Sequence, residues 1–190
     1  MRRWLAICGL VVVGAVVGAG AIVASTFANQ YTSTEAFCTS CHSMAGLGAD
    51  PHYQQSAHRM NGAGVLANCA DCHVPATSWF AETYAHALDG IRDGIAEYTS
   101  NADDPAVWAA RVPRLAERVR EEMRNNDSLT CRKCHDATVI RPASEAGQAA
   151  HAMLAEQRVT CIDCHFNLVH APVPASAGFL HGSGLGRGSR

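Results

Sequence analysis

Eight of the nine cysteines in this 190-residue chain fall into four Cys-x-x-Cys-His units. They are Cys38-Thr-Ser-Cys41-His42, Cys69-Ala-Asp-Cys72-His73, Cys131-Arg-Lys-Cys134-His135 and Cys161-Ile-Asp-Cys164-His165. Two thiols at this spacing can form thioethers to the two vinyl groups of one porphyrin, and the adjacent imidazole then reaches the iron. The pentapeptide is the attachment signature of c-type haem. Paired Cys-x-x-Cys units also build zinc sites, but usually about 15–20 residues apart. Here the intervals are 27, 58 and 26 residues, and zinc gives no reason for a histidine after every second cysteine. Disulfides leave the same four histidines unexplained. The motifs therefore predict four c-type haems.

Four irons present eight axial positions, and the motif histidines His42, His73, His135 and His165 fill half of them. The other histidines are His52, His58, His86, His151, His170 and His181. His181 lies in a Gly-rich tail and reads as a bystander, and His52, in a loop after Pro51, is the weaker candidate. His58, His151 and His170 are the expected distal ligands. An iron held by two histidines exchanges electrons but leaves no position for substrate, so the count favours an electron carrier over a terminal reductase. The first unit continues to Met44, giving Cys-x-x-Cys-His-x-Met. A thioether there can take the iron in place of His42 and raise the potential. Equally, Met44 can simply lie against the porphyrin, and residue types leave the two open.

The elements that must position these groups begin with an anchor. Trp4 to Ala24 is an uncharged aliphatic run of 21 residues, about 31 Å as a helix and enough to cross the hydrocarbon core. Arg2 and Arg3 precede it and no basic residue follows before Arg59. The positive-inside rule then keeps the N-terminus cytoplasmic and exports the remainder. A cleaved signal peptide is the competing reading; its apolar core usually spans about 7–15 residues, although the small residues around Ala24 to Ala28 suit a peptidase. Gly14 and Gly18 form a Gly-x-x-x-Gly pair, a weak signal for helix association and hence for a homo-oligomer. Cys8 reads as an apolar filler of the anchor.

Net charge of −2 gives no sign of a nucleic-acid partner, and 6% aromatic residues is little for a core of this size. Porphyrins are large apolar plates that can substitute, so haem attachment is expected to drive folding. The fold class is mainly α with extensive loops: a single N-terminal transmembrane helix plus a compact multihaem cytochrome c domain. Residues 1–28 are the anchor, 29–175 the haem domain and 176–190 a disordered tail. Within the domain, 37–74 reads as loops. Helices are expected from Ser78 to Tyr98, from Asp104-Pro105 with a break or kink at Pro113, and from Glu145 to Gln157 capped by Ser144. The charged run Arg111 to Arg124 reads as a solvated face, with docking of the downstream partner as the alternative, and Leu115, Val119 and Met123 form the apolar stripe of Arg114 to Arg124.

These features resemble the NapC/NirT/NrfH family of membrane-anchored tetrahaem quinol dehydrogenases. The resemblance runs from the anchor to about His170 and rests on Cys38 to Met44, on Cys69-Ala-Asp-Cys72-His73-Val74-Pro75, and on Cys161 to His165 followed by His170. It implies Met44 as an axial ligand of haem 1 with Asp93 at the distal face, His170 on haem 2, His58 on haem 3 and His151 on haem 4. It also implies oxidation of membrane quinol and reduction of a periplasmic partner, with the haem domain outside the cytoplasmic membrane. The family often has a lysine seven residues before the acidic group; here that position is His86. Seven residues is two helical turns, so His86 and Asp93 share a face with Gly90. Imidazole exchanges protons near neutral pH, which makes His86 the candidate acceptor for a quinol proton, with Asp93 assisting. A nitrate reductase is the first expected partner, with nitrite or other reductases, or a soluble cytochrome, behind it. The competing readings are a soluble multihaem shuttle without quinol chemistry, which requires cleavage of the anchor, and a haem reductase, which requires an open iron.

Overall fold

The computed structural model describes residues 1–75, 77–101, 104–152 and 159–182, and among these there are helices and loops but no strand. The chain opens on α1 (Arg2–Thr32), a 31-residue helix of about 46 Å. It runs some eight residues beyond the apolar segment, so its last two turns stand outside the bilayer core. Four short helices follow: α2 (Glu35–Cys38), α3 (His42–Ala49), α4 (Pro51–Gln54) and α5 (Cys69–His73). The expected loop region thus contains helices of one to about two turns, too short for apolar periodicity to reveal.

Two 21-residue helices form the frame. In α6 (Trp79–Thr99) the Ser78 hydroxyl accepts the Ala81 N–H, and in α7 (Pro105–Asn125) Asp104 accepts the Ala106 N–H with Pro105 at the first helical position. Both caps stand where cap chemistry predicts them. Of the break or kink expected at Pro113, the break does not occur: α7 continues through it. Proline removes one N–H from the ladder, yet contacts on both sides hold the helix: Arg111 to Ser100 before it, Arg120 and Arg124 after it. Four helices complete the order: α8 (Leu129–Arg132), α9 (Glu145–Ala152), α10 (Cys161–Cys164) and α11 (Ala177–Gly182). Ser144 accepts the Gly147 N–H at the start of α9, and the rest of the helix expected to Gln157 lies outside the described residues.

Helix α6 lies against the outer end of α1. The Trp79 indole donates to the Thr26 hydroxyl (3.2 Å), Asn29 donates to the Thr83 hydroxyl (2.8 Å), and the Ser33 hydroxyl meets His86 Nε2 (3.0 Å). Partners rise together along both chains, so the two helices run in the same direction. Asn29 is 5% exposed, and its bond satisfies an amide that would otherwise be buried unpaired.

Among the described residues the buried apolar set is small: Tyr53, Ala70, Val159, Ile162 and Phe179. The charged run of α7 is not merely a solvated face. Arg120 is 5% exposed and donates to the Val173 and Pro174 carbonyls and to Asn167 Oδ1, its guanidinium 5.1 Å from the Phe166 ring. Arg124 lies 3.8 Å from the Phe179 ring, donates to the Phe179 carbonyl and pairs with Asp163 at 2.6 Å. These contacts carry ordered structure beyond the expected boundary at residue 176: Ala177–Gly182 is a helix with Phe179 fully buried, while 183–190 lie outside the described residues. Replacing Phe179 by Ala removes the largest buried ring. It is expected to cost about 3–5 kcal/mol, read as a lower denaturant midpoint of the holo-protein followed at the Soret band; an unchanged midpoint would show that the C-terminal helix is dispensable.

Candidate functional site

Each Cys-x-x-Cys-His unit contains or abuts one helical turn, and a turn places cysteines three residues apart on the same side. The second and fourth units make the reason visible. Asn68 accepts the Asp71 N–H while Asp71 accepts the Asn68 N–H, a reciprocal capping box at the start of α5. Asp163 accepts both the N–H and the hydroxyl of Thr160, and a second such box starts α10. The aspartate inside each motif therefore builds the turn that presents the cysteines. Sequence reading passed over this role, although Asn-x-x-Asp and Thr-x-x-Asp ahead of the motif histidine carry the signal. Asp163, 2% exposed, also ties the fourth unit to Arg124. Ser128, at φ +51°, accepts the Ile162 N–H and so ties the third unit to the fourth.

The units adjoin in chain order. Helix α5 rests on α2 and on α8. The Cys38 thiol donates to Cys69, which lowers the Cys69 thiol to about 6, and the Tyr53 hydroxyl (3.9 Å) adds to the effect. Further along, burial raises the thiols of Cys72 and Cys131, with Cys131 adding to the first and Cys161 to the second.

Histidine rings meet in three pairs, each joining a motif histidine to one distant in sequence. His73 and His170 have centroids 6.1 Å apart, His58 and His135 6.1 Å, and His151 and His165 5.9 Å. These are the histidines that sequence reading set apart as distal ligands, brought against second, third and fourth motifs. Their planes are inclined by 44°, 81° and 36°, so the paired rings do not stack on one another. Two imidazoles bound through nitrogen to one metal, at about 2 Å each from opposite sides, have centroids ~6 Å apart. His151 donates its Nδ1–H to the Gly147 carbonyl at 2.8 Å, which leaves the lone pair on Nε2, the tautomer of a metal ligand. Nδ1 of His58 and of His170 is buried without a hydrogen-bond partner. Tyr53 lies flat on His170, centroids 6.0 Å apart at 16°, and fixes that ring's plane. Among the described residues no three His, Cys, Asp or Glu side chains converge on one point; each ring pair and its neighbouring cysteines would suit a c-type haem, the imidazoles toward the iron and the thiols for thioether attachment to the porphyrin.

The first unit is built differently. Cys41 precedes α3, which starts with His42, and Met44 is half-buried one turn in. Ser43 donates its N–H (2.9 Å) and its hydroxyl (2.6 Å) to Glu97. Those bonds hold the Glu97 carboxyl below the usual carboxylate range, the hydroxyl first. Sequence reading missed Glu97; its position one turn after Asp93, on the face of His86 and Gly90, is the available signal. The exposed Asp93 pairs with Arg92 (3.0 Å) and Arg118 (3.9 Å), and the carboxylate bonded to the first motif is Glu97. His86 is half-buried against Ser33, where α1 ends. His52 pairs with Asp50 at the surface.

The family model described as the NapC/NirT cytochrome c family, N-terminal region, matches residues 1–175. The chain is 35% identical to the cytochrome c-type protein TorC of Escherichia coli over 93% of its own length and 45% of TorC, so it spans under half of that relative. It is 37% identical to a probable tetraheme cytochrome c-type protein of Nitrosomonas europaea (87% of this chain, 70% of the relative). Against the denitrification system component NirT of Stutzerimonas stutzeri the identity is 32% (85% and 80%). No solved structure matches it. With its cysteine–histidine units on adjoining helical turns and an apolar helix at its N-terminus, the chain belongs to the NapC/NirT family of cytochromes c, membrane-anchored multihaem proteins of electron transfer.

Proposed function

We propose that this chain binds four c-type haems, oxidises membrane quinol and passes the electrons to a periplasmic terminal reductase. The observation that carries the reading is the set of three histidine pairs at 5.9–6.1 Å. His73 with His170, His135 with His58 and His165 with His151 hold the second, third and fourth irons, and the eight motif cysteines hold the porphyrins. His42 or Met44 holds the first, on a segment braced by Glu97. When bound, the haems supply a row of one-electron acceptors, and the attachment cysteines adjoin in the order first to fourth.

Quinol oxidation releases two electrons and two protons, so proton acceptors must stand beside the first acceptor at the level of the lipid. His86 meets this requirement: it lies on the α6 face that carries Glu97 and is bonded to Ser33, just past the apolar segment. It binds a quinol hydroxyl and takes its proton, and Asp93, two turns along that face, accepts from the solvent side. The outer end of α1 supports retention of the anchor. Cleavage near Ala24 to Ala28 would remove Thr26, the partner of Trp79, and free the segment carrying buried Asn29. The retained anchor, with Arg2 and Arg3 inside, places the haem domain in the periplasm at the cytoplasmic membrane. Relatives named NirT, a denitrification system component, and NapC keep a nitrate reductase as the first partner, with other reductases behind it; a soluble shuttle without quinol chemistry is the alternative.

Two measurements test this. In proteoliposomes holding the full chain, His86→Ala is expected to slow haem reduction by a quinol analogue about 100-fold, with dithionite reduction unchanged; an unaltered quinol rate removes His86 from the mechanism. His170→Ala is expected to convert one haem of four to a high-spin signal in the electron paramagnetic resonance spectrum while His52→Ala leaves the spectrum alone. Four low-spin haems in the His170 variant would refute the ligand assignment.

A further inference from the structure

Helix α6 carries an apolar stripe that no other element covers among the described residues. Phe80, Tyr84, Leu88, Ile91, Ile95 and Tyr98 are between 48% and 93% exposed. From Tyr84 onward their spacing is four, three, four, three, the 3.5-residue period of a two-helix seam rather than the looser pattern of a helix on a core. The neighbours of α6 lie elsewhere around its axis. Trp79, Thr83 and His86 face α1, Glu97 faces α3, and Asp93 and Ser100 face α7. At about 100° per residue, the stripe is centred roughly 120° away from the face that meets α1.

The anchor has a corresponding face. Gly14, Gly18, Ala21 and Ser25 recur at four, three, four along α1, and a Cβ added at Gly14 or Gly18 would meet nothing within 4 Å. Small residues in this pattern let two membrane helices approach closely. The side of α1 that meets α6 is marked by Thr26, Asn29 and Ser33, and the Gly14–Ser25 face lies roughly 70° round from it. That rotation and the one on α6 run in opposite senses. For two facing helices of the same direction, opposite senses lead to one flank, and the two faces point within about 30° of each other. Lipid alone does not account for the stripe. It starts level with Thr26 and rises about 27 Å, whereas the headgroup layer beyond the hydrocarbon is only about 5–8 Å deep.

We propose that this flank is a self-association surface, on which a second copy of the chain pairs α1 with α1 and α6 with α6 in parallel about a two-fold axis along the membrane normal. Such an interface is isologous: each stripe is both donor and acceptor of knobs. Six exposed side chains at roughly 100–150 Å² each offer on the order of 700 Å² per protomer, near the roughly 800 Å² per partner of a standard stable interface. The arrangement turns the α6 face of His86, Asp93 and Glu97 away from the axis, so each copy keeps its own access to lipid.

The experiment uses the full haem-loaded chain in detergent micelles and nanodiscs at micromolar concentration, with mass measured by native mass spectrometry and haem content by pyridine haemochrome. A dimer is expected for the natural sequence. Ile91→Arg is expected to raise the dissociation constant about tenfold or more, and Glu82→Lys, on another face of α6, to leave the dimer intact. If Ile91→Arg fails to mature its haems, Gly14→Leu with Gly18→Leu decides alone, since it leaves the haem domain untouched and is expected to weaken the same dimer. A monomeric natural protein, or a dimer that survives both substitutions, overturns the proposal.

Discussion

Three pairs of imidazole rings, with centroids about 6 Å apart and planes inclined by 36° to 81°, draw distant parts of the chain outside the anchor together. Each of the three ring pairs joins residues 14 to 97 positions apart in the chain, from His151 with His165 to His73 with His170. A polypeptide with five buried apolar side chains among its described residues has little hydrophobic leverage for such closures, each of which costs loop entropy. On the proposed function, metal coordination and the burial of porphyrin would support them, with the ring pairs and the short motif helices as the scaffold. This explains why helices as short as four residues persist here. A single turn is not stable by itself, but one pinned by a capping box and by two bonds to a cofactor has nowhere else to go.

Polar chemistry does the rest of the positioning. Arg120 and Arg124 reach from one helix into the segment that follows the fourth motif, satisfying carbonyls at Val173, Pro174 and Phe179. The Arg124–Asp163 pair carries that grip into the capping box that presents Cys161 and Cys164. At the membrane end, three hydrogen bonds between α1 and α6 set the height of His86 above the lipid. The same contact makes α6 run with the anchor, so a face of one helix becomes continuous with a face of the other. The position proposed for quinol and the surface proposed for self-association are therefore consequences of a single helix–helix contact, seen from two sides.

The cysteine–histidine units, the apolar anchor and the caps at Ser78 and Asp104 were legible in the chain because each is local: its meaning is complete within a few residues or one run. The candidate distal ligands could be set apart by counting iron positions, although residue types alone do not say which motif each would meet. Glu97 went unseen because a carboxylate on a helix has no sequence mark of the backbone it will brace. The order beyond residue 176 was hidden because a Pro/Ala-rich segment looks disordered until two arginines, more than fifty residues earlier, supply partners for its carbonyls. The passage of α7 through Pro113 has the same origin, in contacts on both sides that no local preference predicts.

By itself, then, the amino-acid order determined the covalent chemistry, the membrane segment and the class of fold, since thiol spacing, hydropathy and cap residues act through bonds and solvent close at hand. The family resemblance implied a motif for each distal histidine; only the tertiary structure decided how closely those rings meet, which acid grips the first motif and which face of α6 is left uncovered. Those depend on how helices meet, and the angle and height of a helix contact are set by residues from two distant stretches at once.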